Sequence, residues 1–123
     1  MSEERKNIIV EKTYAFALQI VQLYKSLVEK KEFVLSKQVL RSGTSVGANF
    51  HEAIASESKK DFIHKLSIAA KEARETDYWL KLLKDSDYIK SEEFNKLKNS
   101  CDEIIKILNS IILTTRERYF SNS

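Results

Sequence analysis

Apolar residues recur every three or four positions along four successive stretches of the chain, which is the spacing of amphipathic α-helices. The first stretch, residues 3–31, carries two neighbouring apolar rows. One row is Ile9, Phe16, Ile20, Leu23 and Leu27, and the other is Val10, Tyr14, Ala17, Val21, Tyr24 and Val28. Two rows make a broad apolar face, so this helix is predicted to pack against more than one neighbour.

The second predicted helix covers residues 36–56, with Ser36 as its N-cap because a serine hydroxyl can accept a hydrogen bond from a free amide of the first turn. Its larger apolar residues are Val39, Leu40, Val46, Phe50 and Ile54. The segment between Gly43 and Gly47 is the least helical part, since each glycine costs about 1 kcal/mol relative to alanine. We interpret both glycines as points where another helix approaches closely; ligand contact is the less favoured alternative.

The third and fourth predicted helices cover residues 59–84 and 91–117. Ser58 and Asp61 match a capping box before the third helix, and Ser91 is the predicted N-cap of the fourth. Their apolar rows are Phe62, Leu66, Ala69, Ala73, Thr76, Leu80 and Leu83, then Phe94, Leu97, Cys101, Ile104, Leu108 and Ile111. Four helices of similar length with short connections predict an all-α, antiparallel up-down-up-down four-helix bundle, forming a single domain over residues 1–123.

The composition agrees with long helices, because the 123 residues include no proline and two glycines. Lys and Arg total 21 against 18 Asp and Glu, a net charge of +3 that is spread along the chain. The single cysteine excludes an intrachain disulfide and a thiol cluster for zinc, which suits a reducing cytoplasm. Since no stretch has secretory or membrane-spanning length, we expect a cytoplasmic protein without a membrane partner.

The residues that could carry catalysis are few. A di-metal bundle site needs a Glu-x-x-His pair from each of two helices, and Asp61-Phe-Ile-His64 is the one segment of similar spacing; neither His51 nor His64 belongs to a helical zinc-protease motif. Cys101 lies on an apolar row, where a small buried side chain is expected rather than an activated thiolate. We therefore predict no catalytic, cofactor-binding or metal-binding residue and no small-molecule substrate; a small hydrolase or metalloenzyme is the least favoured class.

A mixed stretch of the third helix places Glu72, Glu75 and Trp79 on one helical stripe. Two carboxylates on one face could form a paired-acid active site, but no companion group is evident. We favour a charged contact between helices or subunits, with Arg41 as the partner and Trp79 as an anchor. The candidate helix-helix or subunit interface comprises Arg41, Gly43, Gly47, Asn49, Glu72, Glu75 and Trp79.

Basic residues near the predicted helix ends are candidate nucleic-acid contacts. They are Lys59, Lys60, Lys81, Lys84, Arg116 and Arg118. The alternative is that they oppose the helix dipoles or solvate the surface. A closed ring of subunits would repeat any local basic stripe and build a larger positive field from a modest charge per chain.

Two segments carry a family resemblance: Arg41-Ser-Gly-Thr-Ser-Val-Gly-Ala-Asn49, and Lys71-Glu-Ala-Arg-Glu-Thr-Asp-Tyr-Trp-Leu-Lys-Leu-Leu83. With them, the chain resembles the 23S ribosomal RNA intervening-sequence protein family over nearly its whole length. The resemblance implies an up-down bundle that assembles as a homopentamer, often encoded within insertions in large-subunit ribosomal RNA genes, with no established activity. A similar, more basic bundle is the accessory variability protein of diversity-generating retroelements, a pentamer that binds a reverse transcriptase and nucleic acid.

From the residues and the resemblance together, we expect a non-enzymatic oligomeric helical scaffold of the ribosomal RNA intervening-sequence type, in contact with RNA or a ribonucleoprotein. The competing hypothesis is a protein-protein adaptor that has no affinity for nucleic acid.

Overall fold

The computed structural model describes residues 1–120. It contains the helices α1 (Glu3–Glu29), α2 (Leu35–Ile54), α3 (Lys59–Asp85) and α4 (Ser91–Phe120). No strand occurs in this part of the chain, so the all-α prediction is confirmed. Helix bounds differ from the predicted ones by at most three residues. Residues 121–123, which the predicted domain includes, lie outside the described residues.

Contacts between successive helices give their directions. Gly43 lies against Ile20, and Gly47, one turn further along α2, lies against Thr13, which is nearer the start of α1. In the second pair, Lys98 bonds to Asp77 and Cys101 to the carbonyl of Ala73, so the order again reverses. These contacts mean that α1 and α2 run in opposite directions, as do α3 and α4.

One hydrophobic core receives side chains from all four helices. The first predicted row of α1 and the whole predicted row of α4 are buried in it. The predicted row of α3 is buried except for Phe62, which is only partly covered, while the neighbouring Ile63 is buried instead. Among residues 1–120, no helix is both long and apolar enough to cross a membrane.

The buried face of α2 consists largely of small residues. It comprises Ser36, Val39, Ser42, Gly43, Val46, Gly47, Phe50 and Ala53. Leu40 and Ile54, which were predicted from their apolarity, are only partly buried. The narrow side chains let α2 lie close to both α1 and α3, and its contact with α3 is the largest between any two of these helices.

Residues other than glycine adopt the left-handed backbone conformation just after α1 and α3. Lys31 has φ 64° and Asp87 has φ 65°. After α1, the amide of Glu32 donates to the carbonyl of Leu27, and after α3 the amide of Tyr88 donates to the carbonyl of Leu83. This is the Schellman pattern, which satisfies the last carbonyls of a helix while the chain reverses direction.

Of the three predicted N-cap residues, Ser58 alone is confirmed: its hydroxyl accepts a hydrogen bond from the amide of Asp61 at 3.0 Å. The predicted N-cap Ser36 is wrong, because Ser36 is the second residue of α2 and is itself capped: its amide donates to Glu32 Oε1 at 2.7 Å. Ser91 is also the first residue of α4 rather than its cap, and the carbonyl of Lys90 accepts the amide of Phe94.

Candidate functional site

The predicted interface residues Arg41, Glu72, Glu75 and Trp79 lie together between α2 and α3. Arg41 Nη1 donates to Glu72 Oε2 at 2.9 Å, and Arg41 Nη2 donates to Glu75 Oε2. The indole Nε1 of Trp79 donates to that same Glu75 oxygen at 3.3 Å. One guanidinium therefore bridges two carboxylates one turn apart on α3, and the indole fixes the second of them.

This cluster is partly open to solvent. The Arg41 side chain is 50% exposed, whereas Glu72 is 13% and Glu75 34% exposed. Burial alone would lower the pKa of Arg41, but the hydrogen bonds and charges of Glu72 and Glu75 outweigh it and raise the pKa above its ordinary value. Because both carboxylates accept from a permanently charged group, the arrangement suits a structural contact better than paired-acid catalysis.

A polar contact that the sequence did not reveal lies beneath the cluster. Thr76 Oγ1 is 2.8 Å from Ser42 Oγ and 2.8 Å from the carbonyl oxygen of Glu72. Both Ser42 and Thr76 are fully buried. Because a buried hydroxyl needs a partner, this pair fixes the register of α2 against α3. Asn49 stands apart from it, since its side-chain amide donates to the carbonyl of Ser45 within α2.

The two glycines of α2 face α1. A Cβ atom at Gly43 would lie 2.7 Å from Ile20 Cγ1, and one at Gly47 would lie 3.2 Å from Thr13 Oγ1. The residues contacted belong to the same chain, so the close approach is between α1 and α2.

The second apolar row of α1 is left at the surface. Tyr14 is 63% exposed, and Val10, Ala17, Val21, Tyr24 and Val28 are only partly buried. We call the six α1 residues of this row the α1 outer row.

The six candidate basic contacts do not form a single patch. Lys59 and Lys60 begin α3 and Arg116 and Arg118 end α4, whereas Lys81 and Lys84 lie near the end of α3. Lys84 lies 25 positions after Lys59, which is roughly 38 Å along the helix. Lys59 Nζ is 4.7 Å from the ring centroid of Tyr119, and Lys84 Nζ is 4.8 Å from that of Phe94. Each group therefore belongs to a different end of the bundle.

Groups suited to metal or thiol chemistry are separated or covered. Within residues 1–120, no three His, Cys, Asp or Glu side chains are grouped so that they could hold a metal ion. His51 and His64 are exposed on α2 and α3. Cys101 is fully buried and donates to the carbonyl of Ala73 at 3.1 Å; burial, followed by the charges of Asp77 and Asp102, raises its thiol pKa to about 12.

The chain is similar to known proteins over most of its length. The family described as 23S rRNA-intervening sequence protein matches residues 5–110. Similar solved structures include a crystal structure from Bacteroides thetaiotaomicron VPI-5482, described as a protein with unknown function from the S23 ribosomal protein family. The two sequences are 55% identical, the match covers 87% of this chain and 96% of the other, and the TM-score is 0.85. No curated protein matches the chain.

Proposed function

Because the chain belongs to the 23S rRNA-intervening sequence protein family, we propose that it is a non-enzymatic scaffold that associates with copies of itself and contacts RNA. The assembly that we propose is a homopentamer, as the sequence resemblance implies. The observation that supports self-association is the α1 outer row, an apolar surface that the helices of one chain cover only in part.

The α1 outer row is suited to another copy of the chain for two reasons. It continues the buried face of α1 without a charged residue among its six members, whereas most of the remaining surface of α1 is charged or amidic. A contiguous apolar strip of this kind is typical of an interface core, where charged residues are depleted and tyrosine is enriched. In a closed ring the same contact is repeated, which covers the strip on every copy.

Self-association is tested by measuring mass with light scattering at micromolar protein concentration. We expect about five times the 14.3 kDa of the chain. Tyr14→Glu should lower the mass, because a charge would be buried at the interface without a partner. Ala15→Glu, at the neighbouring exposed position, adds the same charge outside the row and should leave the mass unchanged. A monomeric wild type would refute the scaffold.

The RNA contact is supported by the basic residues at the helix ends, which a ring would repeat on each subunit. Titration of a labelled structured RNA at several salt concentrations should show binding that weakens as salt rises, because bound phosphates release counterions. If no RNA binds at physiological salt, the RNA part of the proposal is wrong, and a protein-protein adaptor would then account better for a self-associating bundle.

A further inference from the structure

A cavity of about 330 Å³ opens at the end of the bundle where α1 and α3 begin and α2 and α4 end. Its size falls within the range of about 300 to 1,000 Å³ that is typical of small-molecule sites. Part of its wall is apolar and includes Ile54, Phe62 and Ile111. The partial exposure of Phe62, which departs from the predicted core, comes from its position on this wall.

The rim of the cavity is strongly basic. Four cationic side chains line it, from Arg5 and Lys6 of α1, Lys59 of α3 and Arg118 of α4, and the carboxylate of Glu57 is the one acidic lining group among residues 1–120. The lining side chains therefore carry a surplus of three positive charges.

Most of these cations have no anionic partner in the described part of the chain. Lys6 pairs with Glu3 at 2.7 Å, and Lys59 lies over the ring of Tyr119. Arg5 and Arg118 form no ion pair with any residue from 1 to 120. Like charges held around one cavity repel each other, so a bound anion would relieve that repulsion.

Further donors are available at the same rim. Ser58 Oγ accepts the amide of Asp61, which leaves the hydroxyl proton of Ser58 free to be donated to a ligand. Thr114 also lines the cavity. The start of α3 adds the positive end of its dipole to the charge of the four side chains.

A second cavity, at the opposite end of the bundle, shows what distinguishes this one. It has a volume of about 580 Å³ and is lined by Lys30, Lys84 and Lys90, but also by Asp85 and Asp87. The Lys30 ammonium already donates to the carbonyl oxygen of Tyr88 at 2.8 Å. Charge is nearly balanced there, so that cavity has no comparable preference for an anion.

We propose that the basic cavity binds a single phosphorylated nucleotide, either free or at the end of an RNA strand. Arg118, Lys59 and Ser58 would hold the phosphate, and the face of Phe62 would receive the base. A phosphate monoester carries close to two negative charges and several acceptor oxygens, which fits a rim with surplus cations, and a base fits the apolar wall. The RNA form of this proposal rests on the proposed function, whereas the free-nucleotide form does not.

The test compares two oligoribonucleotides of identical sequence, one with a 5′-phosphate and one with a 5′-hydroxyl, by fluorescence anisotropy with the full chain. Adenosine monophosphate and inorganic phosphate serve as competitors, and adenosine monophosphate is also titrated directly by calorimetry. The variants are Arg118→Gln and Lys59→Gln. Lys106→Gln is the matched control, since Lys106 is an exposed lysine of α4 that lies outside the cavity.

The expected result is tighter binding of the 5′-phosphorylated strand, with competition by adenosine monophosphate that exceeds competition by inorganic phosphate. Each cavity variant should weaken this binding by about tenfold, the loss expected for one charge-assisted hydrogen bond, while Lys106→Gln has little effect. Thermal melts of all variants check that folding is intact; if one variant melts early, the other decides.

The remaining outcomes separate this site from the proposed function. If both strands bind equally and the cavity variants change nothing, the cavity proposal is overturned while the RNA contact stands. If neither strand binds but adenosine monophosphate does, and Arg118→Gln weakens it, the cavity is a nucleotide site and the RNA contact is refuted. Binding of neither strand nor the mononucleotide would overturn both.

Discussion

A Cβ atom at Gly43 of α2 would lie 2.7 Å from Cγ1 and 2.8 Å from Cγ2 of Ile20 on α1. Ile20 is fully buried, and both contacted atoms are attached directly to its Cβ, so the side chain cannot turn away. The distance between α1 and α2 is thus set by the missing side chain of one residue and the branched side chain of the other.

Gly43→Ala should therefore destabilise the fold despite the better helix propensity of alanine. Overpacking costs about 1 to 3 kcal/mol, and the propensity gain of about 1 kcal/mol offsets it only in part. Gly47→Ala is the matched control, because its added Cβ would meet Thr13 Oγ1 at 3.2 Å, a contact that a small shift can relieve. Urea unfolding should show the larger loss for Gly43→Ala; an equal or larger loss for Gly47→Ala would contradict this account.

The second prediction concerns the contribution of the bridge from Arg41 to Glu72 and Glu75 to stability. Arg41→Ala leaves two carboxylates one turn apart without their common cation, and we expect a loss of about 1 kcal/mol in the free energy of unfolding. The value is small because the Arg41 side chain is half exposed. The loss should shrink in high salt, which screens the remaining repulsion.

The control for this variant is Lys37→Ala, which removes an exposed cation of α2 that has no ion pair within residues 1–120. It should have little effect in urea unfolding. If Arg41→Ala is also neutral, or if its loss is the same at low and high salt, the bridge does not stabilise the α2–α3 contact.

The carboxylate of Glu32 should make the stability of the fold depend on pH in the acidic range. Burial alone would raise its pKa, but the amides of Ser36, Leu35 and Val34 outweigh burial and hold the pKa below its ordinary value of 4.5. A lowered pKa means that the folded state favours the carboxylate, so its contribution is complete above pH 4.5 and is lost as the pH falls through the lower, folded-state pKa.

Glu32→Gln should therefore cost about 1 kcal/mol at neutral pH, as for the loss of a helix cap, and progressively less below pH 4.5. The check is urea unfolding of wild type and variant across this range. Glu11→Gln, at an exposed position of α1, is the control and should stay parallel to wild type. A Glu32→Gln difference that is constant with pH would mean that the carboxylate charge plays no part in the cap.

The sequence predicted those elements whose signal is local. Apolar spacing gave the four helices and the buried rows of α1 and α4, because a helix buries one face whatever its partner is. The charged cluster was also accessible, since Glu72, Glu75 and Trp79 share a stripe and Arg41 of the preceding helix is a candidate partner for them. Apart from the pairing with Arg41, which joins two helices, these features depend on helical geometry alone.

Features that depend on tertiary contacts were missed or misplaced. Ser42 can be buried because its hydroxyl is hydrogen-bonded to the Thr76 hydroxyl across the α2–α3 contact, and no local pattern in the sequence reveals that partner. Ser36 was mistaken for a cap because serine commonly caps, whereas the longer side chain of Glu32 reaches the same amides from the preceding turn. Arg5, near the start of α1, and Arg118, near the end of α4, line the same cavity. They do so only because the helices alternate in direction, which brings the start of α1 close to the end of α4.

Cys101 provides the last prediction. Its thiol is fully buried, and burial together with the charges of Asp77 and Asp102 raises its pKa from an ordinary 9.0 to about 12. Near pH 8 the reactive thiolate is therefore about a thousandfold rarer than for an ordinary cysteine, and the native thiol should resist alkylation until the protein unfolds. Iodoacetamide labelling followed by mass spectrometry, with and without denaturant, measures this difference.

A matched control places the thiol at the surface of the same helix. Cys101→Ala combined with Ser110→Cys puts a cysteine at an exposed position of α4, where it should be alkylated rapidly in the native state.

The raised pKa of Cys101 also makes the stability of the fold depend on alkaline pH. Above pH 9 the unfolded chain loses the thiol proton before the folded chain does, so the free energy of unfolding falls between pH 9 and about 12. Cys101→Ala should lack this part of the alkaline loss. Rapid native labelling of wild type, or identical alkaline profiles for wild type and Cys101→Ala, would show that the thiol is not held protonated by the core.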